Sequence, residues 1–388
     1  MNRAPSIPRT PPSVGAAGSD RRPFAQSGAS AAIRVMIVDD SLTVRTIFKR
    51  MVESDPALVI VGTASSAERA IAQLAAEPAD VVLLDLEMPG IGGLDALPAI
   101  LATPGKPQVL VVSSLTMDGA EHTMSALQMG AADTLLKPRP GGFTEDYRAQ
   151  LLGKIRALGS RFAERDAAPQ QTAEPSFVRP GPGHGLSRRS WRPEVVAIGA
   201  STGGIHALGL MLRRLGPGFD LPILITQHLP ASFMPVFARQ VETACGRPAE
   251  IAADGLTLSP GRILIAPGHG HIVVQRKGAM LAVRISTEPA VSGCLPSVDP
   301  MLESLAAACE GRALGVILSG MGRDGVVGAK SLIDAGGTIY AQNADTSAVW
   351  GMPGAVARAG LASLIAPPEL IGDAVMAQAA APAAPTHR

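Results

Sequence analysis

Three observations on the 388-residue sequence predict an α/β protein built from two parallel-sheet domains. Short apolar runs alternate with stretches of helical periodicity, first over residues 33 to about 165 and again over residues 194 to about 372, and strand alternating with helix is the pattern of a parallel sheet. Residues 166 to 193 between them (DAAPQQTAEPSFVRPGPGHGLSRRSWRP) lose periodicity and gather Pro, Gly, Gln and Arg, the composition of a semi-flexible linker. The length itself exceeds what one hydrophobic core usually organises.

Taken in order, residues 1–31 are rich in Pro, Ser and Gly without apolar periodicity and are expected to form a disordered extension. IRVMIV from Ile33 reads as the first strand, and Val44, Ile47, Phe48, Met51 and Val52 then recur at helical spacing. VVLLDL, VLVV and TLL supply further strands of this domain, residues 32–165. Tyr147, Leu151, Ile155, Leu158 and Phe162 recur every three or four residues, so a closing helix is expected from Thr144, its N-cap, to about Arg165. In the second domain, residues 194–372, VVAIGA, LPILIT, RILIAP, HIVVQ, AVRIS, ALGVILS and GTIYAQ are strand candidates. The remainder, 373–388, ends AQAAAPAAPTHR and is expected to be a disordered tail.

Composition narrows the function. Apolar residues reach 46% and charged residues 17%, enough apolar surface for two cores, while 42 Gly and 33 Pro imply many turns. A net charge of +1 and an aromatic content of 3% offer neither a phosphate-neutralising surface nor a base-stacking platform, so nucleic acid is not expected as a partner. Cys245, Cys294 and Cys309 show no CxxC spacing, which argues for a reducing compartment and against a disulfide framework or zinc site; they read as packing residues. The N-terminus lacks the apolar core of a secretory signal, and no stretch approaches the roughly 18 apolar residues of a membrane span, so a cytoplasmic protein without direct membrane insertion is expected.

In an open parallel sheet ligands sit beyond the carboxyl ends of the strands. Asp39 and Asp40 follow the first strand, Asp85 ends VVLLD, Ser113 follows VLVV, and Lys137 follows TLL. Carboxylates gathered there suit Mg²⁺, a hard cation that takes few protein oxygens. With a carboxylate nucleophile, a hydroxyl and an ammonium, they are the parts needed to move a phosphoryl group. Residues 33 to about 140 resemble a response-regulator receiver domain, which implies a flavodoxin-like five-stranded fold. The resemblance implies that Asp85 accepts the phosphoryl group from a histidine kinase, that Asp39, Asp40, Asp85 and the Glu87 carbonyl serve the metal, and that Ser113 and Lys137 report phosphorylation. Thr134 stands where many receivers place an aromatic, and Gly92 where Asp is common.

The second domain carries a serine constellation. Gly199-Ala200-Ser201-Thr202-Gly203 follows a strand and precedes the apolar pattern Ile205, Leu208, Leu212, Leu215, the strand, turn and helix context of a GxSxG nucleophile. A serine needs a base. His122, His184 and His387 fall in the receiver, linker and tail; His206 reads as surface or cap, and His269 and His271 lie on a separate loop. His228 terminates LPILITQ and so emerges at the edge that presents Ser201. Asp324, in a Gly-rich turn after ALGVILS, is the preferred orienting carboxylate over Asp299, which reads as a helix cap, and Asp345. The chain order Ser, His, Asp differs from that of α/β-hydrolases.

IGASTGG, TQHLP, LIAPG, PSVD, LSGMGRDG and AQN…GMP make residues 194 to about 372 resemble the catalytic domain of the chemotaxis protein-glutamate methylesterase family, a second doubly wound, mostly parallel α/β domain. The resemblance implies a Ser201, His228, Asp324 triad, Thr202 as its neighbour and the Met321 amide as oxyanion donor. It further implies an esterase without cofactor that hydrolyses glutamyl methyl esters on chemoreceptor cytoplasmic helices and deamidates receptor glutamines, acting as a monomer. Leu295, Ala253 and Trp350 depart from the family pattern. The alternative is a non-enzymatic response regulator whose second domain binds a partner.

Overall fold

Buried apolar runs of mostly five or six residues set the central strands of both sheets, and most are followed by a helix that crosses back over the sheet. The computed structural model describes residues 32–113, 117–138, 142–167, 192–216 and 218–381, with the side chains of 117–118 and 161–167 left out. The expected N-terminal extension, nearly all of the linker, His184, His387 and the Phe162 side chain therefore lie outside the described residues.

The first domain comprises β1 (Ile33–Val38), α1 (Leu42–Glu53), β2 (Leu58–Ala64), α2 (Ala67–Ala76), β3 (Val81–Asp85), α3 (Gly93–Leu101), β4 (Gln108–Ser113), α4 (Met117–Met129), β5 (Asp133–Leu136) and α5 (Glu145–Ala167). Its five strands are parallel in the order β2-β1-β3-β4-β5, the flavodoxin-like order. Because side chains alternate across a strand, Val35, Ile37, Leu83 and Leu110 pack one way against Phe48 of α1 and Leu151 and Ile155 of α5. Met36, Val82, Leu84 and Val111 pack the other way, with Leu74 of α2, Leu97 of α3 and Leu127 of α4. The Thr144 hydroxyl accepts from the Tyr147 amide at 3.3 Å, capping α5 as expected.

The second domain comprises β6 (Val195–Ala200), α6 (Gly204–Leu212), β7 (Ile223–Gln227), a 3-10 turn (Ala231–Phe233), α7 (Met234–Cys245), β8 (Ala249–Ile251), β9 (Ile263–Ile265), β10 (His271–Lys277), β11 (Met280–Ser286), α8 (Val298–Ala308), β12 (Ala313–Ile317), α9 (Val326–Asp334), β13 (Thr338–Gln342), α10 (Met352–Arg358), β14 (Leu364–Ala366) and α11 (Pro368–Ala379). Seven strands form a parallel sheet in the order β14-β13-β12-β6-β7-β9-β8, while β10 and β11 make a separate antiparallel hairpin. HIVVQ and AVRIS thus leave the main sheet, and the three-residue strands β8 and β14 join its edges.

One boundary differs from expectation. Helix α11 runs to Ala379, past residue 372, and buries Ile371, Gly372 and Val375 against the sheet, so the start of the low-complexity tail is helix. Its alanines are good helix formers, and their repetition hid a packed face.

The two domains share a core. The cluster on the α2–α4 face of the first sheet continues through Leu127 and Ala131 into Ile205, Leu208 and Phe237 of the second domain.

Candidate functional site

Strand register determines what meets at the second sheet's edge. β6 and β7 pair with Ala200 opposite Gln227, so the next residues on each strand, Ser201 and His228, leave the sheet side by side at a strand spacing of about 4.8 Å. The His228 amide donates to the Ala200 carbonyl at 3.1 Å and Gln227 Nε2 donates to the Ser201 carbonyl at 3.0 Å, which ties the two exits together. On the other side β12 pairs with β6, and the Ser201 amide donates to the Ser319 carbonyl at 3.0 Å. A Cβ on Gly320 would sit 2.9 Å from the Ser201 Cβ, so the LSGMGRDG loop approaches the serine as closely as only glycine permits. Gly203 completes the turn at φ +75°, where a Cβ would also meet Ala348 Cβ at 2.5 Å.

Asp324 arrives on that loop. Its Oδ2 lies 2.8 Å from His228 Nε2, with the carboxylate almost fully buried. Four further donors fix it: Ser297 Oγ at 2.7 Å, the Val298 amide at 2.7 Å, the Gly325 amide at 3.0 Å and the Asp299 amide at 3.4 Å. Burial works against ionising Asp324, yet the His228 and Ser297 hydrogen bonds overcome it and hold the carboxyl well below the usual carboxylate range. For His228, burial pulls the pKa down, while the Asp324 hydrogen bond and the neighbouring Cys294 thiol raise it, with a net rise to about 9. Among the described residues the Ser201 hydroxyl makes no hydrogen bond to the imidazole; such contacts tighten on substrate binding.

Other sequence candidates fall elsewhere. Asp345 and His269 are exposed, and His122 lies on the exposed face of α4. Asp299 is a first-turn residue of α8 rather than its cap; the cap is Ser297, whose hydroxyl accepts from the Asp299 amide at 3.3 Å. The Asp299 carboxylate accepts from the Gly328 amide at 2.8 Å, and burial together with the Asp324 charge pushes its pKa up to about 7. His271 is buried and braces the same loop, accepting from the Ser297 amide at 2.8 Å and donating through Nε2 to the Glu288 carbonyl at 2.9 Å.

Two residues carry roles the sequence did not disclose. Cys294, read as packing, has its Sγ within 4.8 Å of a His228 ring nitrogen and an Asp324 oxygen. His206, read as surface or cap, donates from Nδ1 to the Gln128 carbonyl of the first domain at 2.7 Å. That contact belongs to a seam beside the serine: Thr202 Oγ1 donates to Asp133 Oδ2 at 2.5 Å, the Gly203 amide donates to the Ala132 carbonyl at 2.5 Å, and Arg239 pairs with Glu121 at 2.9 Å. No periodicity in one domain could have announced a partner in the other.

At the first sheet's edge, carboxylate oxygens of Asp39, Asp40 and Asp85 lie within 4.8 Å of one another. Lys137 Nζ bridges Asp85 Oδ2 at 2.6 Å and Asp39 Oδ2 at 2.9 Å. Burial outweighs the lysine and raises the Asp85 pKa to about 6. Ser113 Oγ is buried with no hydrogen-bond partner among the described residues, and the Glu87 amide donates to Asp85 Oδ1 at 3.1 Å. Three carboxylates with one compensating lysine and an unsatisfied hydroxyl fit a hard divalent cation and an incoming oxyanion. Thr134, which stands where many receivers place an aromatic, is buried in β5.

A flavodoxin-like domain with this acidic edge, joined to a parallel α/β domain with a serine, histidine and aspartate at one edge, defines a receiver-linked serine hydrolase. Family models agree: residues 35–143 match the response regulator receiver domain and residues 196–375 match the CheB methylesterase domain. A protein-glutamate methylesterase/protein-glutamine glutaminase of Caulobacter vibrioides is 42% identical over 350 residues, covering 89% of this chain and 99% of that one. Its counterpart in Azospirillum brasilense is 38% identical over 361 residues, covering 88% and 91%. The Thermotoga maritima CheB methylesterase catalytic domain is 30% identical, with a TM-score of 0.46, over 47% of this chain and 97% of that one. The chain belongs to the protein-glutamate methylesterase/protein-glutamine glutaminase family.

Proposed function

We propose that the chain is a phosphorylation-controlled serine esterase that removes methyl groups from glutamate side chains of chemoreceptor cytoplasmic helices and deamidates receptor glutamines. The observation that carries this reading is the His228–Asp324 contact at 2.8 Å beside the strand exit that presents Ser201. Asp324 occupies Nε2, which leaves Nδ1 as the nitrogen that takes the Ser201 proton. Ser201 Oγ then attacks the ester carbonyl, and the developing oxyanion is received by the Met321 amide, which has no hydrogen-bond partner among the described residues. The tetrahedral intermediate collapses with release of methanol, or ammonia from glutamine, as the imidazolium returns the proton to the leaving group. Water activated by the same imidazole hydrolyses the acyl-enzyme. Thr202 shapes the turn through its carbonyl, which accepts from Ser319 Oγ at 2.7 Å.

Control comes from the first domain. A histidine kinase would phosphorylate Asp85, with Asp39, Asp40, Asp85 and the Glu87 carbonyl holding Mg²⁺, which supplies charge neutralisation for the transfer. Ser113 and Lys137 would receive the phosphoryl oxygens. Lys137 follows the last residue of β5 and Asp133 is its first, so one four-residue strand links the phosphorylation edge to the Thr202 contact. Movement of that strand would loosen the seam and open the serine.

Methanol release from methylated receptor, measured with and without a small-molecule phosphodonor, tests both halves. Ser201→Ala should abolish release, and Asp85→Asn should abolish the phosphodonor response. Absence of release from wild type would favour the partner-binding alternative, and release by Ser201→Ala at the wild-type rate would mean that Ser201 is not the nucleophile.

A further inference from the structure

Three side chains of different donor chemistry converge where the second sheet presents its edge. Cys294 Sγ, a His228 ring nitrogen and an Asp324 carboxylate oxygen all lie within 4.8 Å of one another. Cys294, half-buried on a largely exposed loop before α8, reaches the pair held by its amide donating to Ser292 Oγ at 3.3 Å, while Ser292 Oγ donates to Ser297 Oγ at 3.1 Å. We propose that these three side chains form a binding site for a thiophilic divalent cation of the Zn²⁺ class, and that its occupancy switches the esterase off. The inhibition rests on the triad reading above; the metal site rests on the geometry alone.

Thiolate, imidazole and carboxylate are the S, N and O donors that Zn²⁺ takes at about 2.0–2.3 Å, which places the ligand atoms of a tetrahedral site roughly 3.3–3.8 Å apart. To admit the ion the His228–Asp324 contact at 2.8 Å must open and Cys294 must move in on its loop, while Ser297 and Gly325 hold Asp324 through Oδ1. Thiolate and carboxylate together balance the charge of the ion. Binding releases the thiol proton, and the ring coordinates as neutral imidazole, shedding its second proton if it was imidazolium. An imidazole whose lone pair is on the metal cannot take the Ser201 proton. The acidic edge of the first domain offers oxygens only and selects a hard cation, so the two sites sort ions by softness.

Co²⁺ added to the full chain in excess Mg²⁺ reports the site directly. A thiolate-to-cobalt charge-transfer band in the near ultraviolet should appear in wild type and in Ser201→Ala, be absent in Cys294→Ser, and be displaced by Zn²⁺. Stoichiometric Zn²⁺ should lower wild-type methanol release by about a hundredfold, the contribution of a positioned general base, with recovery on chelation. Absence of the band in wild type, its persistence in Cys294→Ser, or equal Zn²⁺ inhibition of Cys294→Ser relative to that variant's own metal-free rate would each overturn the site. A wild-type protein that shows the band but never releases methanol would overturn the esterase reading and leave the metal site standing.

Discussion

Asp324 grips His228 through Nε2 at 2.8 Å, and this one contact determines which face of the imidazole is left for chemistry. Asp324 is itself immobilised by donors from the start of α8 and from its own turn, among them Ser297 Oγ and the Val298 amide, both at 2.7 Å. The imidazole proposed as the base is thus oriented by a loop far from it in sequence.

Asp324→Asn keeps an oxygen at the Oδ1 position for the Ser297 and Gly325 donors but presents an NH₂ at the Oδ2 position, where the imidazole and the Val298 amide need an acceptor. Methanol release should fall by about 10³- to 10⁴-fold, the loss seen when a triad carboxylate is replaced by its amide. Circular dichroism should show the fold retained, and a variant with more than a tenth of wild-type activity would argue against Asp324 as the orienting group.

The raised pKa of His228 sets the pH dependence. Only the neutral ring can take the Ser201 proton, so with a pKa of about 9 the rate at low substrate should climb roughly tenfold per pH unit through neutrality and level off near 9. Stability runs the other way. The folded value lies above the unfolded one of 6.5, so the imidazolium–carboxylate pair contributes fully below 6.5, and its contribution is lost as pH rises through about 9. Denaturant midpoints of wild type and His228→Gln should therefore converge at high pH, and a rate profile already flat at pH 7 would contradict the shift.

Asp133 couples the domains, accepting from Thr202 Oγ1 at 2.5 Å and pairing with Lys154 at 2.6 Å. Asp133→Ala removes a charge-assisted hydrogen bond worth about 1.5–3 kcal/mol, which corresponds to a shift of roughly ten- to a hundredfold in the docking equilibrium. Unphosphorylated esterase activity should rise and the phosphodonor response should shrink correspondingly. An unchanged basal rate would mean that the seam does not restrain the serine.

Much of this was legible because each domain repeats one local rule. Strand ends expose Asp85, Lys137, Ser201 and His228 wherever an apolar run stops, so their convergence follows from parallel topology. Cys294 was not legible: it belongs to no strand, and only the folding of its loop onto Asp324 brings it near a residue 66 positions earlier, His228. Asp133 carried no signal and His206 read as surface or cap because their partners, Thr202 and Gln128, lie in the other domain. Strands β8 and β14, at three residues each, carry too little sequence for a period to register.

Asp299 offers a test of the buried charge beside the proposed triad. Burial and the Asp324 carboxylate raise its pKa to about 7, against 3.8 in the unfolded chain, so folding favours the protonated form. A carboxyl raised in this way stabilises least when ionised: the cost sets in above 3.8 and grows until pH passes the folded value near 7. Asp299→Asn retains an oxygen for the Gly328 amide, now at 2.8 Å, without the charge. Its unfolding free energy from urea melts should exceed that of wild type by an amount that widens between about pH 4 and pH 7 and then levels off, reaching on the order of 4 kcal/mol. A stability difference that stays constant across that range would show that Asp299 is ionised throughout and that its repulsion from Asp324 is screened.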